Sequence, residues 1–137
     1  MNVEKELENK SPNELGHSKW LMISKFPFLS KEFIRKYKDY LSWTFVCKNI
    51  KFTEDELIEF EKYLNWDVIS TNQKLSNAFM NKYFRKLDID AICKRQHLSE
   101  EFIEKYKNYL NWRLLYEYQN LSKSFIEKHK KYLKFEN

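Results

Sequence analysis

Apolar residues recur along this chain in two alternating groups, and the whole alternation returns every 23 residues without insertion or deletion. The dipeptides Leu29-Ser30, Phe52-Thr53, Leu75-Ser76, Leu98-Ser99 and Leu121-Ser122 each open a repeat. With that dipeptide as positions 1 and 2, position 15 carries Trp43, Trp66, Ile89, Trp112 and Phe135, and one step back falls on Trp20. Every Trp of the chain therefore shares one register. Position 13 reads Leu41, Leu64, Leu87, Leu110 and Leu133, and position 9 reads Tyr37, Phe60, Tyr83, Tyr106 and His129.

Within a repeat, Ser or Thr at position 2 is an N-cap, because its side-chain oxygen can accept from an amide of the first turn that has no partner inside the helix. Thr53 followed by Glu56 reads as a capping box. Positions 5, 6, 9, 12 and 13 then form one apolar stripe about 120° wide at ~100° per residue, while the intervening positions are mostly charged. This predicts a first amphipathic helix of roughly ten residues. A second cap at position 14, read as Ser42, Asn65, Asp88 and Asn111, introduces Trp43 with Val46 and Cys47, Trp66 with Ile69, Ile89 with Ile92 and Cys93, and Trp112 with Leu115. This predicts a second helix of about two turns.

Neither helix is long enough to stand alone in water, so each must bury its stripe against its partner and against neighbouring repeats. The expected fold is all-α: an α/α repeat solenoid of 23-residue two-helix units, stacked right-handed, with a partial N-terminal unit and a C-terminal capping helix. Residues 1–17 read as a frayed polar leader and 18–137 as a single repeat domain, divided 18–28, 29–51, 52–74, 75–97, 98–120 and 121–137. Trp20, Met22 and Ile23 should cover the first full repeat, and Lys123, Lys128, Lys130 and Lys131 should form the solvated face of the cap. The expected core comprises Trp20, Trp43, Trp66, Trp112, Leu41, Leu64, Leu87, Leu110 and Leu133. The third repeat departs most: Ile89 replaces Trp, Lys86 replaces Tyr, and Phe84 stands where others place Lys or Glu. That Phe either marks a local contact surface or fills the space a Trp would take.

Composition changes this picture little. With 42% hydrophobic and 18% aromatic residues there is enough to build a core, and one Gly with two Pro leaves few turns for hairpins or phosphate loops. No apolar run of about 18 residues occurs, and the segment MNVEKELENKSPNE is charged where a signal peptide is apolar, so a cytoplasmic protein without membrane association is expected. The formal charge of +5 suits nucleic acid or an acidic protein and demands neither.

Candidate chemistry is sparse. Cys47 and Cys93 share position 19 two repeats apart, which predicts reduced, semi-buried fillers. His17, His97 and His129 have no Ser, Cys or carboxylate at a catalytic spacing, Gly16 alone cannot make a phosphate loop, and no CxxC or HxxxH occurs. The carboxylate pairs Glu100-Glu101 and Glu54-Asp55 sit in first turns, where the helix dipole favours them. The expectation is no enzyme, no catalytic residues, no metal and no cofactor.

Two repeated surface features are candidates for binding. Positions 8 and 12 place Lys36 with Tyr40, Lys105 with Tyr109 and Lys128 with Tyr132, with Glu59/Tyr63 and Lys82/Lys86 as variants. Four residues apart on a helix they would share a face and build a basic and aromatic ladder able to stack on bases, hold phosphates or anchor a protein. Alternatively, the tyrosines roof the core and the lysine stems shield them. The second feature is a basic row at the turn leaving the short helix: Lys25, Lys48, Lys51, Lys74, Lys94, Arg95 and His97. Compensation of helix C-termini explains any one of these, and their alignment predicts a positive edge.

The segments LSEEFIEKYKNYLNW (98–112) and LSKEFIRKYKDYLSW (29–43), each followed by a late polar position such as Gln73, Gln96 or Gln119, resemble the short two-helix repeats of bacteriophage and large DNA virus proteins. The resemblance covers residues 20–137 and carries no catalytic motif. It implies a viral protein that binds and blocks a host factor, for example a defence protein such as a CRISPR nuclease. A protein-binding module is thus the leading expectation, and binding of RNA or single strands through the basic and aromatic face is the alternative.

Overall fold

Five short helices begin at the five expected caps. The side chains of Ser30, Thr53, Ser76, Ser99 and Ser122 accept from the amides of Phe33, Glu56, Phe79, Phe102 and Phe125, and Thr53 with Glu56 closes the capping box. The computed structural model describes residues 3–7 and 9–134, and for Glu6 the backbone only. Among these residues the chain is all-helical, with no strand. In chain order the helices are α1 (Val3–Glu6), α2 (His17–Ser24), α3 (Lys31–Tyr37), α4 (Trp43–Asn49), α5 (Glu54–Glu59), α6 (Trp66–Asn72), α7 (Asn77–Lys82), α8 (Ile89–Arg95), α9 (Glu100–Lys105), α10 (Trp112–Tyr118) and α11 (Lys123–Lys128). Short 3-10 turns cover Pro12–Glu14, Phe84–Lys86 and Lys130–Leu133. No described helix is long and apolar enough to cross a membrane.

The first helix of each repeat is shorter than the sequence suggested. Helices α3, α5, α7, α9 and α11 run six or seven residues and stop at position 9. There the ladder tightens to i→i+3 bonds: the amides of Tyr40, Tyr63, Lys86, Tyr109 and Tyr132 donate to the carbonyls of Tyr37, Phe60, Tyr83, Tyr106 and His129 at 2.8–3.0 Å. A 3-10 turn rises faster and winds tighter than an α-helix, and it leads straight to Leu41, Leu64, Leu87 and Leu110, all buried. The second helices meet expectation in length, each of α4, α6, α8 and α10 having seven residues. Asp88 and Asn111 cap them through their side chains, whereas Ser42 makes no such bond.

The chain divides into two compact bodies, Met1–Asn65 and Trp66–Asn137. In the first, Trp20, Ile23, Phe33, Ile34, Tyr37, Leu41, Val46, Leu57 and Phe60 form the core. The polar leader packs into it: Val3 and Leu7 are buried, Glu4 accepts from Ser30 Oγ at 2.7 Å, and Trp20 Nε1 donates to the Pro12 carbonyl at 3.1 Å. In the second, α8 packs between α6 and α10, and Ile69, Phe79, Met80, Leu87, Ile92, Phe102, Ile103, Leu110, Trp112 and Leu115 are buried.

Several core expectations need correction. Trp43, Trp66 and Leu133 are half-buried, whereas Trp20 and Trp112 are buried as expected. Met22 points outward. Phe135 lies outside the described residues.

Two polar positions tie repeats together inside the second body. Gln96 Nε2 donates to the Ser70 and Gln73 carbonyls at 2.9 and 2.6 Å while its Oε1 accepts from the Leu75 amide. Gln119 repeats the pattern one repeat later, onto the Cys93 and Gln96 carbonyls and from the Leu98 amide. Buried carbonyls at helix ends must find donors, and an amide side chain supplies two at once.

Candidate functional site

The aromatic ladder is largely spent on the fold itself. After position 9 the chain tightens to i→i+3 bonds, and the side chains at positions 8 and 12 make contacts other than those of the expected pairs Lys36/Tyr40, Lys105/Tyr109, Lys128/Tyr132 and Lys82/Lys86, nor does Tyr63 turn to Glu59. Instead Lys36, Lys82 and Lys105 each hold Nζ 5.3 Å from the ring of the next residue, Tyr37, Tyr83 and Tyr106. Position 12 covers the indole at position 15 of the preceding repeat. Tyr40 lies on Trp20 with centroids 5.3 Å apart, Tyr63 on Trp43 at 5.4 Å, and Tyr132 on Trp112 at 4.8 Å, while Lys86 sets its ammonium 5.2 Å over Trp66.

Their polar ends are also engaged. Tyr63 donates to Asp39 at 2.8 Å, a bond that raises the phenol's pKa, and Tyr132 donates to Asn108 at 3.3 Å. Position 7 of one repeat pairs with position 8 of the next: Arg35 with Glu59 at 2.6 Å, Asn81 with Lys105 at 2.5 Å, Glu104 with Lys128 at 3.3 Å. Two of the lysines put forward as binding groups, Lys105 and Lys128, thus hold repeats together.

Tyr109 breaks both rules. The residue it would stack on is Ile89, and the residue that would accept its hydroxyl, equivalent to Asp39 and Asn108, is Arg85. Among the described residues its hydroxyl has no acceptor, and the side chain is 70% exposed. Phe84 takes over the missing indole's contact with the repeat that follows: it stacks on Tyr106 at 3.8 Å and 11° and meets Tyr109 edge-on at 6.3 Å. Phe84 therefore compensates for the absent Trp toward Tyr106 and Phe102, and reaches Tyr109 edge-on without being covered by it. Beside this cluster lies a depression of about 360 Å³ bordered by Asn81, Lys82, Phe84, Arg85, Lys86 and Tyr106, with no carboxylate in its lining.

The basic row is exposed throughout: Lys25, Lys48 and Lys51 in the first body, and Lys74, Lys94, Arg95 and His97 in the second. Lys48 sits in the last turn of α4, and Lys94 and Arg95 in that of α8, as compensation of the helix dipole requires. Lys94 also lies 5.6 Å over the ring of Tyr118, and Lys25 4.9 Å over that of Phe45.

Compared with known proteins, the chain matches no family model, and no curated protein or solved structure is significantly similar to it.

Position 19 carries a signal that periodicity alone did not deliver. Ser24 Oγ and Ser70 Oγ accept from the amides of Ser42 and Asp88 at 2.7 and 3.0 Å and donate to the Trp20 and Trp66 carbonyls. Cys47 and Cys93 stand at the same place, fully buried, and receive the amides of Asn65 and Asn111. Burial pushes both thiols up to about 11, so neither is a nucleophile. They are buried acceptors in a recurring contact, and not semi-buried fillers. In α10 this position holds Tyr116, 55% exposed, and Tyr118 beyond it is 50% exposed.

His129 is the remaining departure. It occupies a place held elsewhere by Tyr or Phe, is buried against Phe125 and Trp112 at 4.5 and 5.2 Å, and sets Nε2 2.5 Å from Glu104 Oε2 in an ion-pair contact that is not a well-aligned hydrogen bond. Burial works to raise the Glu104 pKa, but the hydrogen bond from Lys128 and the charges of His129 and Lys107 outweigh it and hold that carboxyl below its ordinary value.

Proposed function

We propose that the chain is a non-enzymatic helical-repeat module that binds a protein partner through α10. One observation carries this reading. The position that α6 and α8 bury as Ser70 and Cys93, where each accepts the amide of the following repeat, becomes an exposed tyrosine in α10, with a second exposed tyrosine two residues on. Tyrosines are rigid, amphipathic and enriched at binding hot spots. At this position α10 presents a ring in place of the small buried acceptor of α6 and α8. The repeat reading itself is supported by helices that begin 23 residues apart, at Trp66, Ile89 and Trp112, and by the Gln96 and Gln119 bonds, which span the same interval.

A partner laid against α10 would meet Tyr116 on one side of the helix and Tyr118 on the other, since residues two apart do not share a face. The phage or viral setting implied by the repeat resemblance makes a host defence protein, such as a CRISPR nuclease, the first partner to try. The test is affinity capture from a host lysate treated with nuclease, with the native chain and a Tyr116→Ala/Tyr118→Ala variant side by side. A stoichiometric protein retained by the native chain and lost with the variant supports the reading. Capture indifferent to the two substitutions, or recovery of nuclease-sensitive material alone, overturns it.

A further inference from the structure

The third repeat departs from its neighbours at three positions that each bear on Tyr109: Phe84, Arg85 and Ile89. Ile89 withdraws the indole of the preceding repeat on which Tyr40, Tyr63 and Tyr132 lie at their own places. Arg85 replaces the acceptor that Asp39 and Asn108 provide for Tyr63 and Tyr132. The outcome is one exposed tyrosine, Tyr109, with neither of the contacts that hold its counterparts. It stands edge-on to Phe84. Among the described residues Arg85 has no carboxylate partner, whereas Arg35 and Lys31 of the first body are paired with Glu59 and Glu56 at 2.6 and 2.7 Å. Lys82 and Lys86 border the same depression.

These changes work together. Loss of the indole alone would leave Tyr106 with Phe102 at 4.8 Å but no ring on the indole's side; Phe84 supplies that ring at 3.8 Å and touches Tyr109 only edge-on. A guanidinium at position 85 offers a planar fork of donors, matched to an oxyanion with two acceptor oxygens. Arg85 and Phe84 in a depression lined by no carboxylate, with the exposed ring of Tyr109 edge-on to Phe84, suit a ligand that is planar at one end and anionic at the other.

We propose that Tyr109 and Arg85 form a binding site for a nucleotide of a single-stranded nucleic acid, the base stacking on Tyr109 and a phosphate held by Arg85 with Lys82. Base stacking on an aromatic ring is tolerant of sequence, and a guanidinium next to it fixes the backbone. The site is single, because the rings at the equivalent places are covered: it replaces the ladder expected from the spacing of Lys and Tyr. It lies on the 3-10 turn after α7 and the turn after α9, apart from the α10 tyrosines, and does not depend on them.

The test is fluorescence anisotropy with a labelled ten-nucleotide oligo(U) and, as comparator, a labelled oligoglutamate peptide of equal length. Native protein is expected to bind the oligonucleotide with a log Kd against log salt slope of about 1.4 to 2.1 in magnitude, the value for two or three phosphates on a single strand. Tyr109→Ala is expected to weaken binding at least roughly five-fold. Arg85→Asn, which hands Tyr109 the acceptor that Asn108 gives Tyr132, should both weaken binding and flatten the salt slope. A Phe84→Lys/Arg85→Asp/Ile89→Trp variant rebuilds the pattern of the other repeats; it should keep its helical circular dichroism and lose the oligonucleotide. Binding that survives all three changes, binding of the peptide in preference to the RNA, or no binding of either would overturn the proposal. Because Tyr116 and Tyr118 are untouched, each of these results is distinct from the outcome of the capture experiment.

Discussion

Tyr132 lies flat on Trp112, the ring centroids 4.8 Å apart and the planes 12° from parallel. The indole also stacks on Phe125, contacts His129, and donates from Nε1 to the Lys107 carbonyl at 2.8 Å. A side chain with that many partners, itself only 7% exposed, should cost about 3–5 kcal/mol to truncate. Trp112→Ala is expected to lower the thermal midpoint by many degrees and to expose the segment after α10 to protease. Trp66→Ala should cost less, since Trp66 is half-buried; a larger loss at Trp66 would show that burial is not what ranks these indoles.

Gln96 engages three backbone groups with one side chain. Gln96→Ala leaves the Leu75 amide and the Ser70 and Gln73 carbonyls without that partner in a buried setting, at about 1 kcal/mol or more for each group. A total loss of about 2–4 kcal/mol in urea denaturation is expected. Gln96→Glu keeps the acceptor for Leu75 but turns carboxylate oxygens toward two carbonyls, and should be no better. Wild-type stability in either variant would mean that these bonds are dispensable.

The caps, the helix order and the register of tryptophans were legible in the sequence because each rests on local chemistry or on strict recurrence: Ser30, Ser76 and Ser99 could be placed before their helices with no knowledge of what the helices touch. The bend at position 9 was not legible. Leu41 fits an uninterrupted α-helical stripe on paper, and the tightening to i→i+3 bonds becomes visible only once Leu41 and Tyr37 are required to share one core. The contact between Tyr132 and Trp112 was hidden for a related reason: recurrence shows that two residues hold fixed positions in their repeats, not that one repeat's ring roofs the previous repeat's indole. A signal for the Tyr109 site was nevertheless present, since Phe84, Arg85 and Ile89 all depart from consensus in one repeat. The alternation Ser24, Cys47, Ser70, Cys93 also stood in the sequence, but its role as a small buried acceptor becomes visible only with the bonds to the following repeat.

That alternation makes the thiols replaceable. Cys93→Ser should be nearly neutral in stability, because Ser70 fills the same role at its place, whereas Cys93→Ala removes the acceptor for the Asn111 amide and should destabilise. With both thiols buried and raised to about 11, alkylation of the native protein at neutral pH should be negligible until it is unfolded, as intact-mass measurement would show. Fast labelling of the folded chain would contradict the burial.

Acid should weaken the C-terminal end. Glu104 faces Lys128, Lys107 and His129 and is held below its ordinary value of 4.5, so its contribution is fully present above that value and is lost as pH falls through the lower, folded one. Glu104→Gln should be less stable than the native chain near neutrality and should lose this part of the acid dependence. Parallel stability curves for the two proteins from pH 6 to pH 3 (about the range that brackets an ordinary carboxylate) would argue that the Glu104 carboxylate contributes nothing through these contacts.

The most direct measurement of how this chain acts is amide hydrogen exchange on the protein alone and in complex with the partner it captures. Protection on binding that centres on residues 112–119, and that disappears together with binding in Tyr116→Ala/Tyr118→Ala, is the expected result. Protection confined to α3–α5, with α10 exchanging as in the free chain, would contradict the assignment of α10 as the binding surface.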